Sequence, residues 1–187
     1  MDKFLELVKP HYSDALRYCR ALCSGKHADE AKDVLQQAFL RAIENFGMLK
    51  EESKFKSWFF KIITNCFYDV TRKNFWKNLI SLELYEAKED IPDVYAKIEH
   101  SDTRNLISIA LGKLSDKERI AVLLFEIEGF SIEEISELQK EKSLSAVKSR
   151  LSRARKKLKE IITELESGYE KTLAENLAFN KDSEIIY

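Results

Sequence analysis

Apolar positions recur at helical spacing along most of the chain. Leu5, Val8, Tyr12, Ala15, Leu16, Cys19 and Leu22 predict one or two helices over residues 1–24. Pro10 marks a start or kink there, and Gly25 an end. Val34, Leu35, Ala38, Phe39, Ala42, Ile43 and Phe46 form the stripe of a second helix, from about Ala28 to Phe46, stopped by Gly47. A polar loop, 47–54, leads into a helical run from Phe55 to about Trp76. Residues 77–104 lack a sustained period and carry Pro92, so they read as a linker with at most short helical pieces. A second helical unit spans 105–163, and 164–187 form a tail. Leu173, Leu177 and Phe179 of that tail allow a weak amphipathic turn or disorder. The expected fold is all-α, with two small domains at 1–76 and 105–163.

Start signals are dense in the second unit. Ser115 with Glu118, and Ser131 with Glu134, both fit the reciprocal pattern in which Ser accepts a backbone N–H and Glu reaches back. The first opens a helix through Glu128 that Gly129 ends. The second opens a short helix, Ile132 to about Gln139, and Ser143 can cap a third. Two short helices, a turn and a long basic helix make a helix-turn-helix pattern. At ~100° per residue, Leu151, Ala154 and Leu158 fall within ~40° of Val147, and Ile161 and Ile162 continue that inward stripe. Lys148, Ser149, Ser152, Arg153, Lys156 and Lys159 fall on the opposite side, where they can meet base edges and phosphates.

Charge sharpens this reading. The chain has 187 residues, with 31 Lys and Arg against 32 Asp and Glu. The near balance hides segregation. Eight bases, Arg150 and Arg155 among them, lie between Lys142 and Lys159 with no acid. A solvated helix would mix Glu with Lys, so this acid-free run points to duplex DNA. Six bases and one acid occupy 54–77, whereas seven acids and two Lys occupy 83–102. Two basic blocks around an acidic linker suggest two polyanion-binding surfaces.

Residues 55–76 also hold eight of the 20 aromatic residues. Aromatics with Lys and Arg suit stacked single-stranded bases. The spacing of Phe55, Trp58, Phe59 and Ile62 equally suits a core built against the 34–46 stripe. Gly (5) and Pro (2) are scarce, which argues against a turn-rich β fold. Three Cys (19, 23, 66) fit buried thiols in a reducing cytoplasm, although Cys19 and Cys23, four apart on one helix face, could also serve a metal or redox switch. No apolar run reaches the ~20 residues that cross a bilayer, and the charged start, Met1 to Glu6, is unlike a secretory signal. There is no phosphate loop and no Ser/His/Asp set, and the three His (11, 27, 100) are scattered without ligand spacing, so neither an enzyme nor a cofactor or metal is expected.

Two blocks of the sequence resemble a known family. Asp33-Val-Leu-Gln-Gln-Ala-Phe-Leu-Arg41, followed by Phe55-Lys-Ser-Trp-Phe-Phe-Lys-Ile-Ile-Thr-Asn65, is similar to region 2 of sigma-70 family RNA polymerase sigma factors. Leu114 to Val122, Gly129 to Ile135 and Ala146 to Leu158 resemble region 4. The presence of these two regions alone resembles the small extracytoplasmic-function (ECF) group.

That resemblance implies an alternative bacterial sigma factor, which takes core polymerase to specific promoters and assists melting at the minus-10 element. Asp33, Gln36, Gln37, Leu40 and Arg41 would dock on the β′ coiled coil. The loop 47–54, with Leu49 in it, and Asn65 would capture a base flipped from the melted non-template strand, with Lys61 beside them and Arg72 and Lys73 on nearby phosphates. Lys148, Ser149, Arg150, Ser152, Arg153, Arg155 and Lys156 would meet the minus-35 duplex. The short helices of the second domain would touch the β flap, and an anti-sigma factor would hold the free protein inactive. Three departures stand out: Gln37 where the family usually has Glu, Leu49 where an aromatic is common, and a seven-residue, Gly-free turn from Ser136 to Lys142. Two rival classes remain. A helix-turn-helix regulator with a sensing N-terminal domain leaves the aromatic-basic block unexplained. A helical adaptor that binds protein alone leaves the acid-free helix without a purpose.

Overall fold

The structure, a computed structural model, describes residues 2–24, 30–82 and 103–183, with side chains placed over 2–24, 30–73 and 105–168. The described residues are helical or in turns, with no strand among them. Helix α1 is Asp2–Val8, α2 Tyr12–Leu22, α3 Ala31–Glu44 and α4 Phe55–Leu82. Helix α5 is Thr103–Gly112, α6 Asp116–Val122, α7 Ile132–Leu138 and α8 Leu144–Ser183. The all-α expectation holds.

The first module, α1–α4, forms because each helix has one apolar face. Val34, Leu35, Ala38 and Ala42 of α3 are buried against Phe55, Phe59, Phe60, Ile63 and Phe67 of α4. Rings interlock there, with Phe39 5.3 Å from Phe59 and Phe4 5.9 Å from Phe55. Each fully buried Phe contributes about 1.5–3 kcal/mol of transfer free energy. Four of the six aromatics of the block with described side chains are therefore core, Phe55, Phe59, Phe60 and Phe67, while Trp58, Tyr68 and Ile62 are half-buried. Tyr18 and Thr64 are buried too, and their hydroxyls meet at 2.9 Å, which removes the cost of two orphaned polar groups. Pro10 lies in a 3-10 turn, Lys9–His11, that separates α1 from α2. Ile43, assigned to the inward stripe, is instead 44% exposed.

In the second module both Ser–Glu boxes form as expected. Helix α6 continues into a π turn, Leu123–Ile127, and Gly129 then takes φ +73°, a left-handed conformation that suits a residue without Cβ. Ser143 accepts the N–H of Ala146 at the start of α8. Val147, Leu151 and Ala154 are buried and Leu158 partly so, as the angular reading requires.

Boundaries differ in three places. Helix α4 runs to Leu82, six residues into the expected linker. Helix α5 begins at Thr103. Helix α8 extends to Ser183, through most of the segment read as a turn or disorder. Leu165, buried at 2%, carries the inward stripe beyond residue 163. The acidic stretch 83–102 lies outside the described residues.

Candidate nucleic-acid interface

The outward face of α8 presents Lys148, Ser149, Ser152, Arg153 and Lys156 to solvent. Lys148 and Arg153 make no hydrogen bond or ion pair among the described residues. Lys156 has one long contact, 3.9 Å to Glu160. These side chains keep their donors free for an incoming acceptor.

Arg150 and Arg155 are placed differently. Arg150 is turned inward and donates to Gln139 Oε1 and, at 2.6 Å, to Glu141. Gln139, itself buried, donates at 2.9 Å to the Lys117 carbonyl. Lys117 pairs with Glu141 at 3.1 Å. The ammonium of Lys117, and then Arg150, hold the Glu141 carboxyl below the usual carboxylate range. Arg150 thus braces the turn between α7 and α8. That turn also answers the missing glycine. Lys140 takes φ 52° and supplies the left-handed residue itself. Arg155 pairs with Glu126 at 2.6 Å and lies over the Phe125 ring.

In the first module a cavity of about 350 Å³ opens at the α3–α4 junction. Arg41, Asn45, Met48, Trp58, Lys61, Ile62 and Asn65 line it. The sequence placed Lys61 and Asn65 at one site and Arg41 at another, and the fold brings all three together. Met48 belongs to the 47–54 loop expected there, whereas Asn45, Trp58 and Ile62 were not assigned to it. Met48 is 74% exposed in a 3-10 turn, beside the half-buried Trp58. Leu49 packs partly against the core and lines a neighbouring cleft. Arg72 and Lys73 are exposed on α4, with Arg72 3.0 Å from Asp69.

Along α3, Asp33, Gln36, Gln37 and Leu40 share one exposed face, with Leu40 56% exposed. Arg41 sits at its edge, half-buried and 2.7 Å from Asp69 of α4.

Cys19, Cys23 and Cys66 are buried and reduced. Burial raises their thiols above the ordinary range, that of Cys23 to about 12, which disfavours thiolate chemistry. Among the described residues no cluster of His, Cys, Asp or Glu has metal-site geometry, and no helix is long and apolar enough to cross a membrane.

A helical pair of modules, one with a helix-turn-helix and one with a polar cavity beside basic side chains, defines a two-part DNA-binding transcription factor. Comparison narrows the class. Residues 7–77 match the family model for Sigma-70 region 2, and 104–158 that for Sigma-70, region 4. The chain is 33% identical over 140 residues to the RNA polymerase sigma factor CarQ of Myxococcus xanthus, covering 73% of this chain and 76% of that one. It is 31% identical over 170 residues to the ECF RNA polymerase sigma factor SigE of Mycolicibacterium smegmatis, covering 87% of this chain but 62% of SigE. It is also similar to the solved sigma factor RpoE of Bartonella quintana, in complex with the anti-sigma factor NepR. That match has a TM-score of 0.71 at 26% identity, over 87% of this chain and 98% of RpoE. The chain belongs to the sigma-70 family of RNA polymerase sigma factors, in its ECF group.

Proposed function

We propose that this chain is an alternative sigma factor that joins core RNA polymerase in the cytoplasm and directs it to specific promoters. One observation carries the reading: a free basic face on α8 and a separate polar cavity on α4 occur in one chain with both family regions. Residues 1–76 hold the polymerase-facing helix and the minus-10 surface, 77–104 link, and 105–163 read the minus-35 element. Asp33, Gln36, Gln37 and Leu40 meet the β′ coiled coil, with Arg41 at the rim.

The cavity takes a base flipped from the melted non-template strand. Asn65 and Lys61 offer donors to it, Trp58 a ring to stack on, and Lys73 and Arg72 hold phosphates. In the major groove, Lys148, Ser149, Ser152 and Arg153 face base edges, and Lys156 meets phosphate. Arg150 contributes by fixing the turn that aims α8, and Arg155 by reaching phosphate once it leaves Glu126. The short helices of the second module meet the β flap. An anti-sigma factor as partner is supported by the likeness to RpoE.

The test is promoter-specific transcription from core polymerase with and without the chain. Initiation at defined promoters that needs the chain is expected. DNA binding without polymerase-dependent initiation would favour the helix-turn-helix regulator instead.

A further inference from the structure

The turn that joins α7 to α8 carries a lysine where its geometry favours glycine. The N–H of Lys140 reaches the Glu137 carbonyl at 3.2 Å, and that of Glu141 the Ser136 carbonyl at 2.9 Å. This paired closure ends a helix through one left-handed residue, most often Gly. Lys140 fills that place at φ 52°. Glycine would close the same turn without strain. Backbone strain of this kind persists only where the surroundings impose it, and it gathers at functional positions. The surroundings here are a brace built on the buried Ser136 and Gln139. Gln139 donates to the Lys117 carbonyl, Arg150 to Gln139 and Glu141, and Ser136 Oγ to the Glu141 carbonyl at 3.4 Å.

What the brace leaves over is positive. Glu141 is held by Lys117 at 3.1 Å and by Arg150 at 2.6 Å, so its charge is answered within the fold. Glu137 lines the cleft shared with Trp58 and Lys61 of the first module. Lys140 and Lys142 are exposed, and their side chains make no hydrogen bond or ion pair among the described residues. Both lie just before the start of α8 at Leu144. The reading residues from Lys148 to Arg153 occupy about 8 Å of helix axis at ~1.5 Å per residue, inside a groove ~12 Å wide. Lys142 comes before that stretch and Lys156 after it, where the ends of a reading helix meet the phosphate walls.

We propose that this turn is a second grip on the DNA backbone, with Lys140 and Lys142 binding duplex phosphates at the edge of the minus-35 groove, at the end of the reading stretch opposite to Lys156. The left-handed lysine is then kept for the charge that glycine lacks. The brace fixes the backbone that carries both ammonium groups, so less freedom is lost on binding. Phosphates are held whatever the sequence, so the turn adds affinity and fixes the angle of α8 without reading bases. The inference rests on the sigma-factor reading.

The experiment titrates the full chain with two duplexes of about 20 base pairs, at salt concentrations from about 50 to 200 mM. One duplex is the sequence the chain selects from a random pool, and the other is its scrambled form. Lys140→Gln and Lys142→Gln remove a charge and leave the turn in place. Each should weaken both duplexes alike, about tenfold at the low end of salt and about threefold at the high end, and lower the salt slope by about one. Lys140→Arg should bind as the wild type does. Lys140→Gly should lose the same affinity while its melting temperature rises. A turn that served the fold alone would bind DNA no worse once its strain is relieved. Thermal unfolding shows that each variant is folded. Wild-type affinity and slope in either Gln variant, a loss confined to the selected duplex, undiminished binding by Lys140→Gly, or a wild type that binds neither duplex would overturn the grip. Promoter-specific transcription by the wild type, measured alongside, tests the sigma-factor reading by itself. Transcription with unchanged slopes sinks the grip alone, and shifted slopes without transcription sink that reading alone.

Discussion

Arg41 donates to Asp69 across 2.7 Å, tying α3, the helix proposed to face polymerase, to α4, which lines the polar cavity. Asp69 also holds Arg72 at 3.0 Å, so one carboxylate orients two cations on neighbouring surfaces. The pair is partly exposed, so its worth in stability is modest, about 1 kcal/mol or less. Its worth in placement is larger, because Arg41 forms part of the cavity wall.

That arrangement separates Asp33 from Arg41. Asp33→Lys should weaken binding to core polymerase and leave the melting temperature unchanged, since Asp33 is exposed. Arg41→Glu should weaken that binding and also lower the melting temperature, because it sets two carboxylates against each other. Competition binding and thermal unfolding of the same preparations check this. Unchanged polymerase binding by Asp33→Lys would move the docking surface off α3.

Arginines three residues apart on α8 should behave oppositely. Arg150→Ala removes the brace to Gln139 and Glu141 and should cost about 1.5–3 kcal/mol of stability, as charge-assisted hydrogen bonds do. Arg153→Ala should leave stability alone. It should lose about 1–3 kcal/mol on the preferred minus-35 duplex and flatten discrimination there. Lys156→Ala should weaken all duplexes alike and reduce the salt slope by about one. Titrations on matched and scrambled duplexes at several salt concentrations distinguish the three. A sequence-selective loss from Lys156→Ala would mean that α8 sits rotated in the groove.

The left-handed Lys140 stores strain that can be released. A left-handed non-glycine residue costs roughly 1–2 kcal/mol, and glycine gives part of that back as chain entropy. Lys140→Gly should therefore stabilise by up to about 1 kcal/mol, some 2–4 °C in melting temperature. Lys140→Val should lower it, because a β-branched side chain fits that region worst. Scanning calorimetry of the two variants decides the sign.

Acid should loosen the second module before the first. Burial alone would raise the Glu118 carboxyl. The Lys157 ammonium and the Ser115 hydrogen bonds outweigh burial and bring it below the usual range. Glu141 is lowered likewise by Lys117 and Arg150. A carboxyl lowered in the folded state stabilises above its unfolded value, near 4.3, and that contribution fades as pH falls through the folded value. Glu118→Gln should cost about 1 kcal/mol at pH 7 and little near pH 3. Hydrogen exchange followed across pH measures it. A gap that stays constant would remove Glu118 from the account.

Much of this architecture is written locally. Ser115 with Glu118 and Ser131 with Glu134 announce their helices within four residues, and the Val147 stripe names its own buried face. What could not be read depends on distant groups. Lys56 donates to the Glu128 carbonyl from 72 positions away, and no periodicity links them. Arg150 looks like any base of the acid-free run until the turn delivers Gln139 and Glu141 to it. Arg41 looked like a surface residue because α3 alone does not reveal Asp69. Helix α8 outran its expected end because its stripe thins after Ile162, although Leu165 still packs inward.

The length of α8 has a mechanical meaning. Its 40 residues form one uninterrupted helix, and at ~1.5 Å per residue that is a rod of about 60 Å. The turns that would enter the groove and the turns near Ser183 are thus two ends of a single lever. A tilt of the reading end by ten degrees carries the far end through about 10 Å. A probe fixed near Ser183 would report sub-ångström adjustments at Arg153 as displacements large enough to measure, and a bulky cargo placed there would press back on the angle at which the helix meets DNA.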